Sequence, residues 1–151
     1  MTRVCLVGSP DVNLRYELLS RETAREAMAT YDLAEPFDNC VAVETVSLGA
    51  AVALCNDLDW YLARFADAAW VREPSVSTAE WLSRGLATAV RDGHVEPAAT
   101  DRYLTVYGVA DGALVEPMYV ARTCDGDDRP AYDLRPVERT VTGRATESEC
   151  A

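Results

Sequence analysis

The first hydrophobic run of the chain constrains its fold more than any other feature. Val4-Cys5-Leu6-Val7 contains no polar residue and is followed directly by Gly8-Ser9-Pro10. A short apolar run that ends in turn residues is typical of a strand buried on both faces. Such a strand needs a layer of structure on each side, so the sequence predicts a sheet covered by helices.

Capping residues predict where the first two helices begin. Ser9 is a suitable N-cap and Pro10 fits the first helical position, which predicts a helix that runs to about Thr30. Ser47 is predicted to cap a shorter, buried helix that ends near residues 56–57.

The second half of the chain contains one strong helix signal and one ambiguous segment. Ser77 and Glu80 have the spacing of a capping box, which predicts a third helix that ends at residues 92–93, where Gly93 can adopt a left-handed cap. Residues 97–108 have apolar residues at helical spacing but also alternate acceptably as a strand. We expect a helix there, with a strand as the alternative.

Alternating and β-rich segments predict the other strands. The predicted strands are residues 39–48, a hairpin of 60–65 and 69–73 around 66–68, residues 114–122, and a last strand near 134–141. A helix is the alternative for residues 57–66. Pro117 lies inside its strand and indicates an edge position or a bulge. Together the elements predict an α/β mixture (α+β) in which three to four helices pack on a mixed sheet. We expect them to form a single domain, residues 1–142, followed by a mobile tail, residues 143–151.

The charge balance is strongly acidic. The chain has 14 basic and 25 acidic residues, a net charge of −11, and every basic residue is arginine. Such a surface repels nucleic acid, so we expect no nucleic-acid partner. At molar salt the Debye length is about 3 Å, so a salt-rich cytosol would screen the self-repulsion. Docking onto a basic partner is the alternative explanation for the acidity.

Two segments carry a resemblance to a known group of proteins. They are Val12 to Glu22 (VNLRYELLSRE) and Arg72 to Ser77 (REPSVS). These segments resemble an uncharacterised haloarchaeal family of small acidic cytosolic proteins. The resemblance implies a salt-rich habitat and brings no reaction or ligand with it.

Catalytic, metal and membrane motifs are not apparent in the sequence. The five cysteines are widely spaced and none forms a zinc-type pair, and His94 is the single histidine, so we expect no metal site, no cofactor and no catalytic residue. The apolar run near the N-terminus is far shorter than the roughly 20 residues of a membrane span. We therefore expect a cytoplasmic protein with no membrane partner.

Two binding hypotheses follow. The large aromatic residues suit protein interfaces, which favours a salt-adapted cytosolic binding or regulatory domain that associates with an unknown protein partner or with itself as a homo-oligomer. The aromatic residues concerned are Trp60, Trp70, Tyr103, Tyr107 and Tyr119. The alternative is an enzyme-like domain that binds phosphate or carboxylate at two helix N-termini. This requires the first two strands to be parallel neighbours, and its candidate residues are Gly8, Ser9, Asn13, Arg15, Ser47 and Gly49.

Overall fold

The structure is a computed structural model that describes residues 1–121 and 139–145. The strands are β1 (Thr2–Gly8), β2 (Cys40–Thr45), β3 (Ala66–Arg72), β4 (Trp81–Ser83), β5 (Tyr103–Ala110), β6 (Ala113–Ala121) and β7 (Arg139–Ala145). The helices are α1 (Leu14–Leu19), α2 (Glu22–Met28), α3 (Leu48–Asp57), α4 (Asp59–Phe65) and α5 (Arg84–Arg91), with a short 3-10 turn at Pro97–Ala99.

The seven strands of the described residues form one sheet, in the order β2-β1-β3-β4-β7-β5-β6. Every neighbouring pair is antiparallel except β4 and β7, which are parallel. The β4–β7 contact therefore joins two antiparallel halves. The α+β fold class with a mixed sheet is confirmed, and the described residues contain five α-helices where the sequence predicted three to four.

The two faces of the sheet bury different side chains because strand residues alternate between faces. Val4 and Leu6 of β1 pack with the helices in the larger core. Cys5 and Val7 face the opposite side and join a smaller core that includes Trp70 and Trp81. The sheet is curled around this smaller core. Asp38 precedes β2 and Gly112 precedes β6, the two outermost strands, and the Asp38 N–H donates a hydrogen bond of 3.0 Å to the Gly112 carbonyl.

The predicted first helix is wrong in its start and its length. Asn13, not Ser9, caps α1, and its Oδ1 accepts a hydrogen bond from the Tyr16 N–H at 3.0 Å. The helical segment is also divided at Ser20 into α1 and α2. The Ser9 hydroxyl donates to Asp67 Oδ1 at 2.9 Å. Asn39 binds the Ser9 carbonyl and the Leu14 N–H, which places Asn13 at the capping position.

The predicted capping box at Ser77 forms a local turn but no helix. Ser77 Oγ accepts hydrogen bonds from the N–H groups of Ala79 and Glu80. The chain then enters β4, and α5 begins one strand later, where Ser83 Oγ accepts from the Leu86 N–H at 3.1 Å. The predicted end of this helix is confirmed, since Gly93 has a φ of 76° in the left-handed region.

Two ambiguous segments are resolved by the structure. The predicted hairpin over 60–73 is wrong, and the helix alternative is right: α4 ends at Phe65 and leads directly into β3. For residues 97–108 the favoured helix is wrong beyond its first turn, since residues 103–110 form β5 between β7 and β6.

The closing strands agree with the sequence in part. β6 is the last strand of the sheet order, and the β5–β6 register shifts beside Pro117, which fits both alternatives proposed for that proline. Residues 143–145, expected to begin the tail, instead complete β7, because Gly143 and Arg144 pair with β4 and Ala145 pairs with β5. Residues 122–138 and 146–151 lie outside the described part of the chain, so the mobility expected of the tail and the predicted strand before residue 139 stay predictions. Within the described residues, no helix is long and apolar enough to cross a membrane.

Candidate binding site: the open edge of β3

Gly8, Ser9 and Asn13 belong to a hydrogen-bonded loop that fixes the end of β1. Asn39 holds this loop: its Oδ1 accepts from the Leu14 N–H and its Nδ2 donates to the Ser9 carbonyl, both at 2.9 Å. The Gly8 N–H donates to the Asn39 carbonyl at 2.8 Å. These contacts give Gly8, Ser9 and Asn13 a structural role.

Ser47 and Gly49 lie far from this loop. β1 and β2 are antiparallel, with Thr2 opposite Thr45, so Ser47 follows the end of β2 that lies beside the start of β1. Gly8 is at the other end of the same strand pair. The expected convergence of two helix N-termini is therefore wrong, because it required parallel strands. Ser47 does cap α3, with its Oγ accepting from the Ala50 N–H at 3.0 Å.

Arg15 lines a cavity of about 330 Å³ beside the outer edge of β2. Asn13, Glu35 and Cys40 also line it. Its most prominent charges are paired, since Arg15 Nη1 lies 3.3 Å from Glu35 Oε1 and both side chains are half exposed. An exposed, paired guanidinium gives little reason to assign an anion to this cavity.

Cys5, Cys40 and Cys55 are free and buried, and burial makes Cys5 and Cys55 poor nucleophiles. The pKa of Cys5 is raised by its hydrogen bond with the Cys40 thiol and by burial. Burial raises the pKa of Cys55 to about 11. Cys5 and Cys55 therefore stay protonated at neutral pH, and the arrangement offers no thiolate at either position.

The most distinctive surface feature is a stretch of β3 that lacks a neighbouring strand on one side. β1 pairs with β3 from Arg72 to Ala66 with a register shift at Asp67, whereas β4 pairs only with Trp70 and Val71. After Ser83 the chain leaves the sheet to form α5. Within residues 1–121 and 139–145, Asp67, Ala68 and Ala69 have no strand partner on this side; we call these three residues the open edge.

A cavity of about 230 Å³ lies on the curled side of the open edge. Three aromatic residues line it together with Asp67 and Arg84. Trp70 and Tyr107 pack edge to face with ring centroids 5.1 Å apart, and Tyr119 is 56% exposed. We call this the aromatic cavity.

A second cavity, of about 200 Å³, lies beside α4 and α5 along the same edge. It contains the carboxylates of Asp59 and Asp67 and the guanidinium of Arg84. Arg84 Nη1 contacts Asp59 Oδ1 at 2.8 Å, and Arg84 Nη2 donates to Asn56 Oδ1 at 3.0 Å. Arg84 is thus engaged by Asp59, whereas the carboxylate of Asp67 accepts a hydrogen bond from the neutral hydroxyl of Ser9. We call this the acidic cavity.

Sequence reasoning identified part of this site. Trp70, Tyr107 and Tyr119 were among the aromatic residues predicted to suit an interface, and the structure brings these three together. Asp67, Ala68 and Arg84 were not predicted. The alanines and the aspartate resembled a hairpin turn, and nothing in the local pattern indicates that β4 has only three residues.

Comparison with known protein families shows which of them the chain belongs to. Residues 2–109 match the model of a family described as "Family of unknown function (DUF5804)". The chain belongs to this family. No curated protein and no solved structure matches it.

The match to the DUF5804 family covers most of the candidate site. It includes β1 to β4, all five helices and nearly all of β5. The open edge, the acidic cavity and Trp70 and Tyr107 therefore lie inside the matched region, whereas Tyr119 and Ala145 lie beyond it.

Proposed function

We propose that this protein is a binding domain that accepts an extended segment of a partner protein as an additional strand beside β3. The observation that carries the proposal is the open edge, which has no strand partner on one side within the described residues. A free strand edge can pair with an extended peptide through main-chain hydrogen bonds. The small side chains of Ala68 and Ala69 leave space for such an approach.

A different protein is a better occupant of the open edge than a second copy of this chain. Each copy carries a net charge of −11, so two copies repel each other wherever salt does not screen them. In dilute salt the same charge attracts a basic segment and increases its rate of association. In concentrated salt this long-range attraction is screened, and only charge pairs in direct contact, about 3 Å apart, contribute. The proposed partner is therefore a protein with a basic segment that can become extended.

A synthetic peptide tests the proposed strand addition. The probe is a fluorescent eight-residue peptide in which leucine alternates with arginine, and binding is measured by fluorescence anisotropy at 0.15 M and 1 M KCl. We expect the same peptide with proline at alternate positions to bind about tenfold more weakly or worse, because proline removes main-chain donors. We also expect amide hydrogen exchange at residues 67–69 to slow when the alternating peptide is added.

Four outcomes would overturn this proposal. Equal binding of the proline peptide would show that no strand forms, as would unchanged exchange at residues 67–69. Binding that appears only in a variant ending at Ala145 would indicate that the chain's own residues 146–151 occupy the edge. A dimer in size-exclusion chromatography that dissociates when the peptide is added would indicate a second copy.

Adaptation to concentrated salt in a cytoplasm is the second part of the proposal. The acidic excess supports it, since self-repulsion is long-ranged in dilute buffer and screened within about 3 Å at 1 M salt. The free thiols of Cys5, Cys40 and Cys55 fit a reducing compartment.

Thermal unfolding in KCl tests the salt adaptation. We expect the Tm to rise by about 5 °C or more between 10 mM and 2 M KCl, because screening stabilises the compact state of a highly charged chain. An equimolar series of glycerol, which adds no ions, serves as the control. Equal Tm values across the KCl series would refute the proposed link between the acidic surface and concentrated salt.

A further inference from the structure

The two cavities beside the open edge lie on opposite sides of the same stretch of β3. Asp67, Ala68, Ala69 and Arg84 line both of them. Trp70 and Tyr107, from the smaller core side, line the aromatic cavity, whereas Leu62 and Ala63 of α4 line the acidic cavity. A strand added along this edge would direct successive side chains to opposite faces.

From this arrangement, and on the basis of the proposed strand addition, we infer that the domain selects partner segments in which apolar and basic residues alternate. The apolar side chain enters the aromatic cavity and the basic side chain enters the acidic cavity. The inferred partner is therefore an extended peptide in which apolar and basic residues alternate, so that one of its faces is apolar and the other is basic.

The aromatic cavity supplies the apolar half of this specificity. Its volume of about 230 Å³ fits a single large side chain rather than a longer ligand. Tyr119 is 56% exposed on β6, so contact with a partner side chain would cover a large aromatic surface. Aromatic residues of this kind contribute strongly to protein interfaces.

The acidic cavity supplies the basic half. Arg84 is already held by Asp59 and Asn56, which leaves the carboxylate of Asp67 as the group that can receive a further cation. A partner arginine at this position gains a charge-assisted hydrogen bond. A glutamate there would face the carboxylates of Asp59 and Asp67, and it would have to compete with Asp59 for the guanidinium of Arg84, so it should bind more weakly.

Peptide patterns and matched variants test the inferred specificity. The probes are eight-residue peptides that alternate leucine with arginine, leucine with glutamine, or leucine with glutamate, together with a peptide that repeats Leu-Leu-Arg-Arg. We expect the leucine–arginine peptide to bind best, and the Leu-Leu-Arg-Arg peptide to bind more weakly although its charge is identical. Asp67→Asn should reduce the preference for arginine over glutamine about two- to fivefold.

Each variant has a control elsewhere on the surface. Asp32→Asn removes one carboxylate away from the site, so it should leave the arginine preference unchanged. Tyr119→Ala should weaken binding of the leucine–arginine peptide about fivefold or more, whereas Tyr16→Ala, which truncates a tyrosine that is 66% exposed on α1, should not.

The outcomes separate this inference from the proposed function. If the alternating peptide slows exchange at residues 67–69 but all patterns bind equally, strand addition stands and the inferred specificity fails. If Asp32→Asn alters the arginine preference as much as Asp67→Asn, the preference reflects overall charge and the specificity also fails. If no peptide binds or alters exchange, the proposed function itself fails.

Discussion

Replacing Arg144 with methionine is expected to lower the free energy of unfolding by about 3 kcal/mol, the scale of breaking a buried ion pair. Arg144 Nε donates to Glu80 Oε1 at 2.8 Å, and Arg144 Nη1 donates to Thr100 Oγ1 at 2.9 Å. The arginine and glutamate side chains are only 13% and 10% exposed. Methionine keeps much of the length of the side chain but removes the cation that faces the carboxylate of Glu80.

The position of this ion pair explains why its loss should matter for the whole sheet. Arg144 is in β7 and Glu80 directly precedes β4, and these two strands form the parallel contact between the antiparallel halves. Within the described residues the register of that contact has two pairs, Trp81 with Gly143 and Leu82 with Arg144. The ion pair therefore reinforces a strand contact that is short.

Urea denaturation followed by circular dichroism measures the effect of Arg144→Met. The control is Arg15→Met, which removes a guanidinium 3.3 Å from Glu35 where both side chains are 51% exposed, and we expect it to cost less than about 1 kcal/mol. The double variant Glu80→Gln/Arg144→Met should lose less stability than the sum of its single changes, since the residues interact. Similar losses for Arg144→Met and Arg15→Met would contradict the assigned role.

Local signals in the sequence predicted several elements correctly. The uninterrupted apolar run predicted β1, the alternation of Val41 and Val43 predicted β2, and Ser47 predicted the start of α3. In each of these cases the residues behave as the signal indicates. For example, Val41 and Val43 are buried, and Ser47 Oγ accepts a hydrogen bond from the Ala50 N–H.

The wrong predictions share a physical cause, which is competition from distant contacts. Ser9 could cap a helix, but Asn39, which is distant in sequence, binds the Ser9 carbonyl and the Leu14 N–H. Glu80 could complete a capping box, but its carboxylate is taken by Arg144. These long-range partners override the local preference, and a single sequence does not indicate them.

The candidate site was predictable only in its residue types. Aromatic residues suited to an interface could be recognised, but the open edge exists because β4 ends at Ser83 while β3 continues. The antiparallel register of β1 and β2, which removes the predicted anion site, is likewise a property of chain topology. Residues 103–110 fit both helical and strand periods, and pairing with β6 and β7 decides for the strand.

Replacing Gly8 with alanine is expected to lower the free energy of unfolding by about 3 kcal/mol, at the upper end of the usual effect of overpacking. A Cβ atom at this position would lie 2.5 Å from Asn39 Nδ2 and 2.8 Å from the Asn39 carbonyl oxygen. Asn39 cannot move aside cheaply, because its side chain is held by Leu14 and Ser9. Its backbone is also constrained, with a φ of 58°.

A control variant and a double variant, both measured by urea denaturation, test the effect expected for Gly8→Ala. Gly49→Ala places a Cβ in the first turn of α3 with its nearest neighbour, Ser47 Oγ, 3.8 Å away, so it should stabilise the protein by about 0.5 to 1 kcal/mol through helix propensity. In Gly8→Ala/Asn39→Gly the clash with the asparagine side chain is absent and the positive φ suits glycine, although the contact with the backbone oxygen remains. The double variant should therefore lose less than the sum of the single changes. Additive losses would mean that the close approach of Gly8 to the Asn39 side chain does not account for the requirement for glycine.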